Sequence, residues 1–182
     1  MPPQYENGFP YKIELLNTDN HKRSSFSCGN ESLDRYLKKQ ASQDIKRKLA
    51  VTYVLVEKDY PDIIGYYTLS HFSVEYDSLP AETKKSLPSY GKIPATLIGR
   101  LAVDKKYQGE RLGEHLLLDA LRKSYERTRQ LGSFSIVVDL LEEDVRDFYR
   151  KYEFRSLTDK KDRLFIPMKK VENLLKEMEI VP

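Results

Sequence analysis

The sequence predicts an α+β fold, with a mostly antiparallel sheet and one central strand–helix–strand crossover. Short runs rich in β-branched and aromatic residues lie early in the chain, and turn residues separate them as in antiparallel hairpins. Later, an apolar run at 95–104, a helical repeat after Leu112 and a second apolar run at 133–139 follow one another. That order is typical of a βαβ unit with two parallel strands, so we expect an antiparallel first half that leads into one crossover.

The length and composition of the chain fit a single domain that spans residues 1–182. These 182 residues are 40% hydrophobic and 32% charged, which allows a full core. No apolar run is long enough to span a bilayer and residues 1–10 lack the parts of a signal peptide, so we expect a cytoplasmic protein with no membrane contact. The formal charge of +3 does not by itself indicate nucleic acid, and such binding would need a local basic surface.

Cysteine and histidine are too few for a disulfide or a zinc site. The single cysteine, Cys28, excludes an internal disulfide, and the three histidines are scattered along the chain. Catalysis is therefore expected to need no metal. Cys28 fits a half-buried structural residue better than a nucleophile, because no histidine partner can be identified for it.

Several short strands are predicted on either side of the crossover. Residues 11–16 predict a first strand, and 51–57 with 63–74 predict an antiparallel hairpin across a turn. A proline-rich stretch then allows one helical turn at 81–86. The later predicted elements are a helix at 142–151, a pair of strands at 153–157 and 164–168, and a polar terminal helix at 171–178.

One predicted helix is much more basic than the rest of the chain. It runs from a cap at Asn30 or Ser32 to about Lys48. Such a face is either simply solvated or a surface for a polyanionic substrate, and the sequence leaves both explanations open. The expected core stripe of this helix is Leu33, Leu37, Ala41, Ile45 and Leu49, and the cations on its other faces are Arg35, Lys38, Lys39, Lys46, Arg47 and Lys48.

The crossover contains a polar turn, QGERLG, between its first strand and its long helix. Backbone N–H groups at the start of a helix lack intrahelical partners, and together they suit a phosphate. A simple packing turn would look the same, and the turn matches neither the Walker phosphate loop nor the dinucleotide fingerprint. The helix that follows places Leu112, Leu116, Leu117, Ala120 and Leu121 along one side.

This turn and a second stretch, DFYRKYEF at 147–154, resemble the two motifs of the GNAT acetyltransferases in order and spacing. Four further stretches resemble one branch of that family, the TacT-like toxins of toxin-antitoxin pairs. The likeness extends from Lys12 to about Leu175. The four stretches are FSCGNESLDRYLKKQASQDIKRK at 26–48, GYYTLS at 65–70, IPATLIGRLAVD at 93–104 and LFIPMK at 164–169.

The resemblance implies a binding site for acetyl-CoA where the fourth and fifth strands splay apart. Pantetheine would pair with the backbone of the fourth strand, and the diphosphate would bind the N–H groups at the helix start. A backbone N–H near Val103 would polarise the thioester carbonyl. The cofactor-binding residues implied are Leu101, Ala102, Val103, Gln108, Gly109, Glu110, Arg111, Leu112, Gly113, Glu114 and Phe148.

The resemblance also implies that Tyr149 donates a proton to the leaving thiolate. A phenol has a reference pKa of about 10, so it is protonated at neutral pH. Packing beside Phe148 would be the structural alternative. A general base is less clear, since His71, Glu75 and Asp104 are each more often structural. An α-amino group of an aminoacyl ester would need no strong base, because its own pKa is about 8 or lower.

Two positions depart from the family pattern. Position 111, usually Gly, is Arg, and position 153, where the helix normally closes with Gly, is Glu. Arg111 could add a cation for a CoA phosphate or could crowd the loop. Glu153 in a left-handed cap would cost about 1 kcal/mol.

Three functions remain after the sequence is considered. The first is an acetyl-CoA-dependent toxin that acetylates aminoacyl-tRNA, blocks translation, pairs with an antitoxin protein and forms a homodimer. The second is an acetyltransferase for small-molecule or protein amines. The third, motivated by the two missing glycines, is a degenerate GNAT-like binding module.

Overall fold

The structure is a computed structural model that describes residues 9–89 and 91–181. Within these residues, the strands form one sheet of seven: β1 (Tyr11–Leu15), β2 (Val51–Glu57), β3 (Ile63–Glu75), β4 (Lys92–Val103), β5 (Ser135–Asp139), β6 (Arg155–Ser156) and β7 (Arg163–Pro167). Their order across the sheet is β1-β2-β3-β4-β5-β7-β6. The pair β4–β5 is parallel, whereas β1–β2, β2–β3, β5–β7 and β6–β7 are antiparallel. The predicted α+β fold with one central crossover is therefore confirmed.

The helices occupy the predicted places along the chain. None of those in the described residues is long and apolar enough to cross a membrane. The α-helices are α1 (Glu31–Arg35), α2 (Ala41–Lys46), α3 (Ala81–Lys84), α4 (Leu112–Arg127), α5 (Arg146–Arg150) and α6 (Met168–Glu177), with a π-helical turn at Tyr36–Gln40 and 3₁₀ turns at Tyr76–Ser78, Lys105–Tyr107 and Glu143–Val145.

The basic helix is continuous from α1 through the π-helical turn to α2, but it ends earlier than predicted. Asn30, not Ser32, is the cap, and its side-chain oxygen accepts hydrogen bonds from the N–H groups of Ser32 and Leu33 at 3.0 and 3.2 Å. The last helical residue is Lys46, and Lys48 has a left-handed φ of 61°. Leu49 was expected in the core, but it is 60% exposed because the chain has already left the helix.

Several other boundaries also differ from the prediction. The helix expected at 142–151 is an α-helix only at Arg146–Arg150, after a 3₁₀ turn at Glu143–Val145. Strand β4 begins at Lys92 rather than at 95, although Pro94 lies within it. Proline is tolerated there because pairing with β5 begins only at Ala95, so its missing N–H interrupts no bond of that ladder. Helix α6 begins at Met168 rather than at 171, and it is amphipathic rather than polar, since Met168, Val171 and Leu175 are buried.

The chain forms two compact units, each with its own core. The first unit contains the described residues up to Ser70 together with Gly99–Ala120, and the second contains His71–Ile98 and the described residues from Leu121 onward. The core of the first unit packs the basic helix against the sheet, and its largest buried side chains are Phe26, Leu37, Tyr36 and Tyr66. The core of the second unit includes Val74, Leu79, Ile93, Ala95, Val137, Leu157 and Phe165.

Candidate functional site

The QGERLG turn places open backbone at the start of α4 in the first unit. The backbone N–H groups of Gly109, Glu110, Leu112 and Gly113 donate no hydrogen bond within the described residues. Gly109 has a φ of +89°, and a Cβ added to it would meet no atom within 4 Å. The turn therefore exposes several donors at the positive end of a sixteen-residue helix, which fits a phosphate group.

Arg111 adopts the left-handed backbone that glycine usually provides at this position. Its φ is 60°, which costs about 1 kcal/mol for a residue with a Cβ. Its guanidinium donates to the Glu114 carboxylate from Nε at 3.0 Å and from Nη2 at 2.6 Å. The departure from the family pattern thus keeps the glycine-like backbone and adds a cation that Glu114 partly neutralises.

Side chains tie the end of β4 to the loop before α1. The Gln108 amide donates to the carbonyl oxygens of Cys28 and Val103, both at 2.9 Å. The carboxylate of Asp104, which is only 6% exposed, accepts from the N–H groups of Ser27 at 2.9 Å and Lys106 at 3.0 Å. Asp104 was a candidate base, and here its two oxygens are already engaged by backbone donors.

The last residues of β4 differ in how far they are buried. Ala102 is buried in the core of the first unit, whereas Leu101 and Val103 are half-buried. Gly65 is required beside them, because an added Cβ would approach the Ala102 carbonyl oxygen to 3.0 Å and Leu116 Cδ1 to 2.9 Å. In the second unit, the parallel pairing of β4 runs from Ala95 to Ile98. The predicted splay of β4 and β5 stays a prediction.

Tyr149 lies on α5 in the second unit, with its ring held by two aromatic neighbours. The ring centroids of Phe148 and Phe154 are 5.1 and 5.5 Å away, both edge-to-face. The residue is 8% exposed, and its hydroxyl forms no hydrogen bond within the described residues. Burial raises the pKa of this phenol above its ordinary value, so the group keeps its proton through neutral and moderately alkaline pH.

Glu153 ends the aromatic segment with a left-handed residue, as expected for its position. Its φ is 63°, and its carboxylate pairs with the Lys170 ammonium. The two remaining candidate bases, His71 and Glu75, are exposed, and Glu75 lies 3.9 Å from the Lys92 ammonium. Neither of these two side chains has a burial or partner that indicates catalysis.

The predicted cations of the basic helix stand without carboxylate partners. None of the six forms an ion pair within the described residues, and five of them are exposed while Lys38 is half-buried. Two of the three acids on the same helix are hydrogen-bonded within the fold, whereas Glu31 is exposed at the first residue of α1. Asp34 accepts from the backbone N–H of Cys28 at 2.8 Å, and Asp44 accepts from the Tyr36 hydroxyl at 2.9 Å. With six cations against three acids, the segment 30–48 has a net positive charge.

Sequence reasoning missed one pair of side chains in the first unit. The Arg100 guanidinium carbon lies 3.6 Å from the ring centroid of Tyr36, which is 1% exposed. The two residues are far apart in the chain, and the only signal was that Arg100 shares a strand face with the buried Ala102.

The described residues contain no cluster of possible metal ligands. In the part of the chain that the structure describes, no three side chains of His, Cys, Asp or Glu are grouped to hold a metal ion. Cys28 is half-buried, and burial raises the pKa of its thiol to about 11.

The chain is similar to acetyltransferases over most of its length. Residues 50–156 match the family model described as an acetyltransferase (GNAT) domain. The probable toxin TacT of Sinorhizobium fredii (strain NBRC 101917 / NGR234) is 31% identical over 170 residues, which cover 90% of this chain and 94% of that protein. The tRNA-acetylating toxin of Mycobacterium tuberculosis (strain ATCC 25618 / H37Rv) is 34% identical over 137 residues, which cover 75% of this chain and 80% of that protein.

Two solved structures have the same fold. AtaT complexed with acetyl-methionyl-tRNAfMet superposes with a TM-score of 0.84 at 28% identity, covering 91% of this chain and 99% of AtaT. A mutant of the AtaT toxin bound to the C-terminus of the antitoxin AtaR and acetyl-CoA gives a TM-score of 0.78 at 26% identity. That comparison covers 92% of this chain and 99% of the toxin chain.

Proposed function

Because this chain belongs to the GNAT family of acetyltransferases, we propose that it transfers the acetyl group of acetyl-CoA to the amino group of an aminoacyl-tRNA. The observation that carries the choice of substrate is the row of unpaired cations along the basic helix, which suits a polyanion. The likeness to a tRNA-acetylating toxin and to AtaT in complex with acetyl-methionyl-tRNAfMet supports the same substrate. Acetylation of the amino group would remove the charged tRNA from translation.

The first unit supplies the groups that would bind acetyl-CoA. The backbone of Leu101, Ala102 and Val103 would pair with pantetheine, and the N–H groups of the QGERLG turn would bind the diphosphate. The open donors of the turn, and the space around Gly109 that no described atom enters within 4 Å of an added Cβ, support this fit. Gln108 and Glu114 stabilise the two ends of this loop. The Gln108 amide donates to the Val103 carbonyl oxygen at the end of β4, and the Glu114 carboxylate accepts from the Arg111 guanidinium.

Acetyl-CoA supplies an acetyl group already activated as a thioester. A backbone N–H near Val103 polarises the acetyl carbonyl, which favours attack by the substrate amine. The new N–C bond forms as the C–S bond breaks, and Tyr149 gives its proton to the departing sulfur. The acylated nitrogen releases a proton to solvent, and Tyr149 regains a proton from solvent. The raised pKa of Tyr149 keeps that proton available. The α-amino group needs no strong base, because an appreciable fraction is unprotonated at pH 7.

The two departures from the family pattern are compatible with this activity. Arg111 and Glu153 both have the left-handed φ that glycine would adopt. This supports a working loop and helix end over a degenerate binding module. The wider proposal is that the chain is a cytoplasmic toxin made of one acetyltransferase domain and paired with an antitoxin. It would form a homodimer in which two basic helices face one tRNA.

The test is acetyl transfer from radiolabelled acetyl-CoA to a panel of charged tRNAs. Label should enter charged tRNA and be released with the aminoacyl ester on mild alkaline treatment. Deacylated tRNA is the matched control and should stay unlabelled, because it lacks the amino group. Labelling of polyamines or protein lysines with no labelling of any charged tRNA would replace the proposal with the amine acetyltransferase.

A further inference from the structure

Arg100 places its guanidinium over the buried ring of Tyr36, and none of its hydrogen-bond donors is engaged within the described residues. Its central carbon is 3.6 Å from the Tyr36 ring centroid. It is half-buried, and it forms no hydrogen bond and no ion pair within the described residues. A guanidinium carries five N–H donors, and the Tyr36 ring can satisfy none of them in the plane of the fork.

The ring beneath Arg100 is held rigidly. The Tyr36 hydroxyl donates to the Asp44 carboxylate at 2.9 Å, and the Tyr36 ring is stacked on Tyr66 with centroids 6.3 Å apart. The Tyr66 hydroxyl in turn donates to the Leu33 carbonyl oxygen at 2.8 Å. Each ring is therefore fixed at its polar end and by its neighbour, so the surface that supports the Arg100 guanidinium is in place before any ligand arrives.

The surroundings of Arg100 favour an anion. Tyr36 is part of the π-helical turn that also carries Lys38 and Lys39, so Arg100 adds a further cation to the side of the sheet that the basic helix covers. Asp44 on that helix accepts a hydrogen bond from the Tyr36 hydroxyl and keeps its charge, but the cations of the helix outnumber its acids. A planar fork in a positive, partly desolvated setting binds phosphate in a bidentate manner.

The position of Arg100 separates it from the proposed diphosphate site. The diphosphate is assigned to the turn after Gly109, whereas Arg100 lies three residues before Val103, roughly 10 Å back along the strand. Its side chain faces the basic helix and not α4, which packs at Gly65 on the other face. We therefore assign an anion bound at Arg100 to the acceptor substrate and not to the diphosphate of acetyl-CoA.

We propose that Arg100, oriented by Tyr36, binds a backbone phosphate near the charged end of the acceptor tRNA. This inference rests on the proposed function, because it assigns a contact for that substrate. Arg100 is a binding residue and Tyr36 is a positioning residue. Substrate acetylation should then depend on both side chains through the KM for charged tRNA, while acetyl-CoA binding depends on neither.

The experiment measures steady-state kinetics with one charged tRNA over a range of salt concentrations. Arg100→Gln should raise the KM for charged tRNA about tenfold, leave the KM for acetyl-CoA unchanged, and reduce the slope of log KM against log salt by about one. The matched control is Arg129→Gln, which removes one exposed cation of the second unit and should leave both KM values unchanged. Arg100→Lys keeps the charge without the planar fork and should fall between wild type and Arg100→Gln.

Two variants of Tyr36 test the positioning role. Tyr36→Phe keeps the ring and should keep the KM for charged tRNA within about twofold, whereas Tyr36→Leu should raise it as Arg100→Gln does. The double variant Tyr36→Leu/Arg100→Gln should be no worse than Arg100→Gln alone, because the two side chains act as one unit. Thermal melts show whether each variant folds. If a Tyr36 variant does not fold, the kinetics of the Arg100 variants alone test the proposal.

The outcomes separate this inference from the proposed function. If wild-type protein acetylates charged tRNA but Arg100→Gln leaves its KM and salt slope unchanged, the phosphate contact is wrong and the function stands. A rise in the KM for acetyl-CoA alone would also overturn the inference, because Arg100 would then bind a CoA phosphate. If wild-type protein acetylates no charged tRNA, both the function and the contact fail.

Discussion

The proposed proton donor, Tyr149, offers the sharpest test of the chemistry, because Tyr149→Phe removes one oxygen and little else. The hydroxyl forms no hydrogen bond within the described residues, and the rings of Phe148 and Phe154 would pack against phenylalanine in the same way. Removing a hydroxyl that makes no hydrogen bond to the protein breaks no stabilising contact. We therefore expect the free energy of unfolding of Tyr149→Phe to equal or exceed that of the wild type.

Turnover should fall even though stability does not. A positioned general acid contributes about 10²–10⁴-fold, and each tenfold loss corresponds to about 1.4 kcal/mol of activation free energy. We expect the kcat of Tyr149→Phe to drop by at least about 100-fold, with an unchanged dissociation constant for acetyl-CoA. The assay is single-turnover acetyl transfer, with calorimetry for the binding step and a denaturant melt for stability.

The pH dependence adds an independent check. A general acid works only while it is protonated, so its activity is present below its pKa and lost as the pH rises through it. Burial raises the pKa of Tyr149 above the ordinary phenol value of 10, so wild-type kcat should show no loss from this group up to about pH 9. A Tyr149→Phe variant with kcat within threefold of wild type would refute the assignment, whatever its stability.

Three further predictions concern the loop, the buried carboxylate and the thiol. Arg111→Gly should change the dissociation constant for acetyl-CoA by less than about threefold in calorimetry, because the backbone is already left-handed and the guanidinium is paired with Glu114; a tenfold change would mean that Arg111 binds or blocks the cofactor. Asp104→Ala should lower the free energy of unfolding by about 2–3 kcal/mol, since two N–H groups lose their acceptor, while the pH profile of kcat keeps its shape. A changed profile would restore Asp104 as a base. Because burial raises the pKa of Cys28 from 9.0 to about 11, its alkylation at pH 8 should be about 100-fold slower than that of an exposed cysteine; equal rates in a timed alkylation assay would contradict this.

The repeating elements of the fold could be predicted from the sequence because their patterns are local. The helix after the QGERLG turn was expected from Leu112, where α4 begins, and the hairpin strands agree with β2 and β3 to within a residue. Period-two and period-3.6 patterns record which face of an element is buried, so they report these bounds well.

The sequence predictions were wrong where a contact between residues far apart in the chain determines the structure. The π-helical turn and the early end at Lys46 were not visible in a four-residue apolar repeat, which continued to Leu49. In the structure, Arg23 reaches the Leu37 carbonyl oxygen inside that turn at 3.4 Å, a bond that no local pattern records. The stacking of Arg100 on Tyr36 was missed for the same reason.

The site was predictable only in the parts that follow from chain connectivity. A turn between a strand and a helix start indicates backbone donors for a phosphate, and the structure contains such donors at Gly109 and Gly113. The roles of Val103 and Tyr149 came from the family resemblance and stay predictions. The basic helix was visible in the sequence, but the hydrogen bonds that hold Asp34 and Asp44 within the fold were not.

The most direct test of the account compares acceptors within one reaction. Purified protein, acetyl-CoA, a charged tRNA, a polyamine and a lysine peptide are mixed at equal acceptor concentrations, and the acetylated products are measured by mass spectrometry after nuclease digestion. We expect the acetyl group on the α-amino nitrogen of the aminoacyl-adenosine, with rates for this acceptor that fall as salt is raised. Acetyl groups on the polyamine or the peptide, with unmodified aminoacyl-adenosine, would contradict it.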